Sequence, residues 1–414
     1  MAIAKLTEAP AGSTPKSWTR QGLATVALCF AINMADGVDV TILSFIAPRL
    51  QQDWGIGANV MGNLFSAGLL GMAIGGMLIA PTADRLGRRK LILAALVLMS
   101  VGMLASGLAQ SVSQLFALRV VVGAGIGTVL ATMAALAAES APEQHRNLAV
   151  GVVQAGYPFA AVFTGLIVAQ LLPVYGWAAM LFGAGLVTLI LIPIALLILP
   201  RSSAPAALTG RVDAIRIGAL LSPNYRARTI TLWGAAFFGL MVLYFIVSWI
   251  PKLAIQAGLS ETNGIYAGAL YNFGAFVGTM AMSVLAVRVP LGRLVPTMLV
   301  IAGVAMLVFG SMTMSAPTTL LVAFLIGVFL QGGYNGIWPL AASVYPADRR
   351  ATGLGWAIGV GRSGAIIGPM LGGYLIAANA SLPLLFGAYC VPLLLCAACV
   401  FAVDRLRRHA LPNT

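Results

Sequence analysis

Apolar residues in this chain gather into long runs, and short polar gaps separate them. Each run reaches the length of about 20 mostly apolar residues that a helix needs to cross the hydrocarbon core of a bilayer. The pattern predicts twelve spans, near 22–45, 58–80, 89–109, 113–138, 148–172, 176–200, 229–251, 262–287, 294–314, 317–344, 352–377 and 382–403. Glycine recurs inside them, as expected where helices pack closely through small residues. The predicted fold class is an all-α membrane protein. The longest polar stretch falls at 201–228 and divides the spans six and six. The expected organisation is a tail (1–20), a six-helix bundle (21–200), a linker (201–228), a second six-helix bundle (229–403) and a tail (404–414).

Composition agrees: 60% of residues are hydrophobic and only 8% are charged, whereas soluble domains are nearer half and a quarter. The formal charge is +13. It does not point to nucleic acid, because the basic residues punctuate the apolar runs and form no patch. Their placement sets orientation. Twenty of the 24 Lys and Arg fall on the side of the termini; only Arg49 and Lys252 fall on the other. Both termini are therefore expected in the cytoplasm. Residues 1–20 are polar and no cleavable signal is evident. Cys396 and Cys399 form a C-x-x-C inside the last run, read as packing on one helix face; no metal set is found. His145 and His409 lack metal-like neighbours.

The halves echo one another at an offset of 204. Pro142, Arg146 and Gly151 follow the fourth span, and Pro346, Arg350 and Gly355 follow the tenth. Residues 80–90 read Ala-Pro-Thr-Ala-Asp-Arg-Leu-Gly-Arg-Arg-Lys. This resembles the G-x-x-x-D-R-x-G-R-[RK] loop of the major facilitator superfamily at Asp84, Arg85, Gly87, Arg88 and Arg89, with Ala80 in place of Gly. The resemblance implies two pseudo-symmetric six-helix bundles with a midplane site between them. It also implies a conformational latch, in which Asp84 lies near the N-terminus of the eleventh helix. The latch set is Asp84, Arg85, Gly87, Arg88, Glu139, Arg146 and Arg350. Glu139 reads equally as a gate residue or a solvated end charge. The second-half counterpart, 287–293, keeps its arginines but lacks the Asp.

Four charges lie inside the runs: Asp36, Asp39, Arg119 and Arg362. A charge in hydrocarbon costs at least roughly 2.5–3.5 kcal/mol, so it faces a protein-lined cavity and marks function. None is repeated at the 204 offset, where Leu240, Leu243, Ala323 and Pro158 stand. Spacing i, i+3 puts both carboxylates on one helix face, and Asn33 extends the stripe. The pair is expected in the outer half of the first span, where it can meet Arg119 in the outer half of the fourth. Arg362 is expected near mid-depth. Two acids facing one arginine leave one acid free to carry a proton.

DGVDVTILSFIAP at 36–48 and YPADRRATGLGWAIGVGRSGAIIGPMLGG at 345–373 resemble the aromatic acid/proton symporters, as do YNFG at 271–274 and GGYNG at 332–336. The resemblance implies inward symport of a small aromatic carboxylate with protons by alternating access. Asp36 and Asp39 would couple protons. Arg119, Arg362, Asn33, Tyr157, Tyr271, Tyr334, Asn335 and Trp338 would bind substrate. A planar guanidinium suits a carboxylate, and rings need apolar or aromatic walls, for which Phe65, Phe159 and Tyr244 are further candidates. Tyr334 stands where a smaller side chain is expected. The partners implied are a small aromatic or other organic acid, protons and lipid, for a monomer in a bacterial inner membrane. No cofactor is expected; the proton is the coupling ion. GPMLGG at 368–373 resembles a drug-antiporter run and is read as local packing. The alternatives are symport of muconate-like diacids or sugar acids, and drug export. An enzyme would need a nucleophile–base pair that the sequence does not supply.

Overall fold

The computed structural model describes residues 17–199, 217–223 and 225–409. Most of the 201–228 linker and nearly all of the two predicted tails' outer parts fall outside them. Among the described residues, twelve long helices build the molecule. Helix α1 (Arg20–Trp54) begins at Thr19, whose hydroxyl accepts the Gly22 N–H at 2.9 Å, and stops at Gly55 in the left-handed region (φ 62°). Then follow α2 (Ala58–Thr82), α3 (Arg88–Ser106) and α4 (Val112–Ser140). A single helical run, Arg146–Ile198, holds two spans. Gly176 turns the chain between them at φ 75°, ψ 174°, so α5 covers 146–175 and α6 covers 177–198. The second half comprises α7 (Arg226–Gln256), α8 (Glu261–Leu285), α9 (Leu291–Ser311), α10 (Ala316–Ala342, broken at Gly336), α11 (Ala347–Ala377) and α12 (Leu382–His409). The helices form two six-helix bundles.

Close packing inside each bundle rests on glycines at related positions. Gly123 of α4 lies against the Gly68 carbonyl of α2, and Gly327 of α10, 204 residues on, lies against the Tyr271 carbonyl of α8. A β-carbon at either would collide with backbone. Helix α2 ends irregularly, in a π turn (Gly75–Ile79) and a 3-10 turn (Ala80–Thr82) before the short helix Ala83–Leu86. Gly87 then opens α3 at φ 85°, a backbone state that glycine adopts without strain.

The bundles meet mainly on the side opposite the termini. Ser44 of α1 donates to the carbonyls of Val247 and Ser248 on α7, both at 2.9 Å. Pro251 has no N–H to offer the Val247 carbonyl four residues back, and Ser44 fills that vacancy in the ladder. Ser44 and Ser248 are themselves 204 apart, so this contact straddles the pseudo-symmetry axis. Nearby, Lys252 donates to the Gln51 side-chain oxygen. Ser66 of α2 donates to the Ile366 carbonyl of α11 at 2.6 Å, and Gln170 of α5 to Tyr266 of α8 at 3.0 Å. Gly62 and Gly373 bring α2 and α11 together, which gives the GPMLGG run a packing role in this seam.

Candidate functional site

Helix α1 carries the two acids at its centre. It runs on past Pro48 to Trp54, well beyond the apolar run, so Asp36 and Asp39 lie near mid-helix and not in an outer half. Gly37 between them allows α1 to press against the backbone of α5 at Tyr157. The D-G-x-D spacing thus supplies two acids and the close approach that buries them: Asp36 is 4% exposed and Asp39 2%.

The acids do not share one arginine. Asp39 faces Arg119 of α4, and Asp36 faces Arg362, at the middle of α11. The two acids point along different flanks of α1, as a 60° offset between positions i and i+3 allows. Nor does either acid form a tight ion pair with its arginine. Among the described residues, both Asp39 oxygens and Oδ1 of Asp36 have no hydrogen-bond partner. Arg119 is instead held from α3: its Nη2 donates to Ser106 Oγ at 2.9 Å and also meets the Met103 sulfur. Its Nε has no partner. Arg362 lies beside the Tyr244 hydroxyl and 3.9 Å from the Met72 sulfur.

Asp39 and Arg119 open onto one cavity of about 40 Å³. Leu43, Leu64, Phe65, Met72, Tyr244 and Ser248 are among its walls. Next to it, Tyr157 approaches Tyr244, Asp36 and Tyr271, and Tyr334 approaches Tyr244 and Arg362. Tyr271 is fully buried with its hydroxyl unpartnered among the described residues. Tyr334 and Trp338 pack edge-to-face at 5.9 Å. The site is therefore a charged end, Asp39 and Arg119, joined to a tyrosine-lined end at Asp36 and Arg362.

Several expected site residues have other company. Asn33 donates to Gln154 of α5 at 3.0 Å and lines no part of the cavity. Asn335 ties α10 to α8 by donating to Thr279 at 2.8 Å, just before the helix breaks at Gly336. Phe159 packs with Phe30 and Phe163 and is largely exposed. At the end of α4, Glu139 pairs with Arg88, the first residue of α3, in its own bundle. Arg89 donates to the Leu196 carbonyl at 2.7 Å. Arg350 is exposed, and Arg146 has a buried Nε without a partner. The side chains of Asp84 and Arg85 lie outside those described. Met103, Ser106 and Gln154 were not legible as site residues. A serine or methionine inside an apolar run carries no charge to announce it.

The Major Facilitator Superfamily profile matches residues 29–357. A gallate transporter from Pseudomonas putida is 31% identical, over 93% of this chain and 92% of its own. The 4-hydroxybenzoate transporter PcaK of Pseudomonas aeruginosa is 32% identical, over 91% of each. Among solved structures, a bacterial homologue of the human lysosomal transporter Spinster, in an inward-facing and unoccupied conformation, superposes with a TM-score of 0.76 at 18% identity. That likeness covers 95% of this chain and all of the other.

Proposed function

The chain belongs to the Major Facilitator Superfamily, and from that premise we propose that it imports a small aromatic carboxylate with protons by alternating access. The observation that carries this reading is a buried acid, Asp39, left without a hydrogen bond across an aromatic-walled cavity from an arginine. A proton on Asp39 removes its pull on Arg119. The guanidinium, already steadied by Ser106, then takes the incoming carboxylate in a bidentate grip. Phe65, Leu64 and Tyr244 form a wall for the ring, and the tyrosines around Arg362 offer hydroxyls to ring substituents. Both relatives above bear the names of aromatic-acid transporters, which supports the substrate class.

A cavity of about 40 Å³ holds a few waters, whereas benzene occupies one of about 150 Å³. Substrate entry therefore requires the bundles to rock apart, and the seam opposite the termini is the part that must yield. In this reading both termini are cytoplasmic, the protein is a multi-pass monomer of a bacterial inner membrane, and the closed seam faces outward. A second reading, a diacid such as muconate, draws on the presence of two arginines, each facing its own acid.

Uptake of labelled 4-hydroxybenzoate, gallate and protocatechuate by cells expressing the chain tests the proposal. The expected result is accumulation that a protonophore abolishes and unlabelled benzoates compete. Competition by muconate alone would move the reading to diacids. Drug resistance without acid uptake would reject import.

A further inference from the structure

The side opposite the termini has two basic residues, and they differ in kind. Arg49 is already matched by Asp53 one turn on, at 3.5 Å. Lys252 has no acid within salt-bridge reach among the described residues, and its partner is the neutral amide of Gln51. Its position is informative. Tyr244, Ser248 and Lys252 follow at i, i+4 and i+8 on α7, one stripe of the helix. Tyr244 and Ser248 line the cavity that holds Arg119. Lys252 stands one turn further out, at the seam between α1 and α7. When that seam parts, Lys252 heads the path into the cavity.

We propose that Lys252 is an outer capture site for the organic anion, which it hands down the Ser248–Tyr244 stripe to Arg119. This rests on the import reading above. A carboxylate offers the ammonium a full opposite charge, a Coulomb attraction that the neutral Gln51 amide lacks. The arriving anion therefore displaces Gln51 and loosens the α1–α7 seam as it binds. Capture and opening become one event. A cation at the mouth also steers anions from solution, an effect that salt screens.

The test is initial-rate uptake in right-side-out proteoliposomes, at low and at physiological ionic strength, with the labelled acid that the wild type prefers from the panel above. Lys252→Met is expected to raise KM roughly five- to tenfold at low ionic strength, to leave kcat within about twofold, and to flatten the salt dependence. Lys252→Arg restores both. Gln51→Leu removes the amide and keeps the cation, so its salt dependence stays that of the wild type. Wild-type KM and salt slope in Lys252→Met, or a Gln51→Leu variant with the same flattened slope, reduces Lys252 to a seam brace and overturns the proposal. A wild type that imports no organic anion overturns the import reading and this one together.

Discussion

At Arg119 one guanidinium is oriented by Ser106 and Met103 from α3, while Asp39 waits across the cavity without contact. The serine and thioether hold the arginine in place without neutralising it, so its charge is available to an anion once Asp39 is protonated. Replacing it with lysine keeps the charge and loses the planar fork. Arg119→Lys is expected to lower kcat/KM about 10- to 100-fold, the range of one or two charge-assisted hydrogen bonds. Asp39→Asn fixes a permanently uncharged side chain. With the proposed proton symport, wild-type uptake is expected to rise as the outside is acidified. In Asp39→Asn that dependence flattens and accumulation becomes insensitive to protonophore, while exchange of labelled for unlabelled acid persists. Uptake in this variant that still follows external pH would assign coupling elsewhere, with Asp36 the next candidate. Tyr271 offers a buried hydroxyl with no partner. Tyr271→Phe should leave stability unchanged or slightly higher, and should narrow the preference for hydroxylated over plain benzoates about tenfold, measured as a ratio of competition constants.

At the scale of elements, glycines decide how near the helices come. Gly37 has the Tyr157 backbone against it, whereas Gly151, near the start of α5, has open space around its Cα. The two predict opposite outcomes for one substitution. Gly37→Ala must part α1 from α5 and should destabilise by about 1–3 kcal/mol. Gly151→Ala should be neutral, or stabilising by up to about 1 kcal/mol, because alanine is the better helix former. Thermal unfolding in detergent compares them. Some element ends were legible as polar breaks: Ser111 and Ser260 each accept the N–H three residues on, at 3.3 Å. The extension of α1 was not legible, because Pro48, Arg49 and Gln51 look like a loop until Asp53 on the same helix matches Arg49 and Lys252 of α7 donates to Gln51.

For the whole molecule, the seam opposite the termini is the feature that the proposed alternating access must break. Ser44 and Ser248 sit across the pseudo-symmetry axis, with a side chain of one bonded to the backbone of the other. Cysteines at both positions should form a disulfide under mild oxidation. Uptake should fall to background and return on reduction. Crosslinked protein that still accumulates substrate would show that this seam need not open.

The sequence alone determined that the chain crosses a membrane many times, that its halves repeat, and that four charges stand outside the repeat. Those conclusions need only local hydropathy and the cost of burying charge, which act residue by residue. It also singled out Arg119 and Asp39, because an unrepeated charge in a repeated scaffold has no packing role to share. Only the tertiary structure decided which acid faces which arginine. The angle of α1 against α4 and α11 sets that, and a linear stripe of two acids is compatible with either pairing. The tertiary structure likewise turned Asn33 and Asn335 into helix ties and brought in Ser106, Met103 and Gln154. Uncharged side chains become functional only through what the fold sets beside them, and that proximity is written nowhere along the chain.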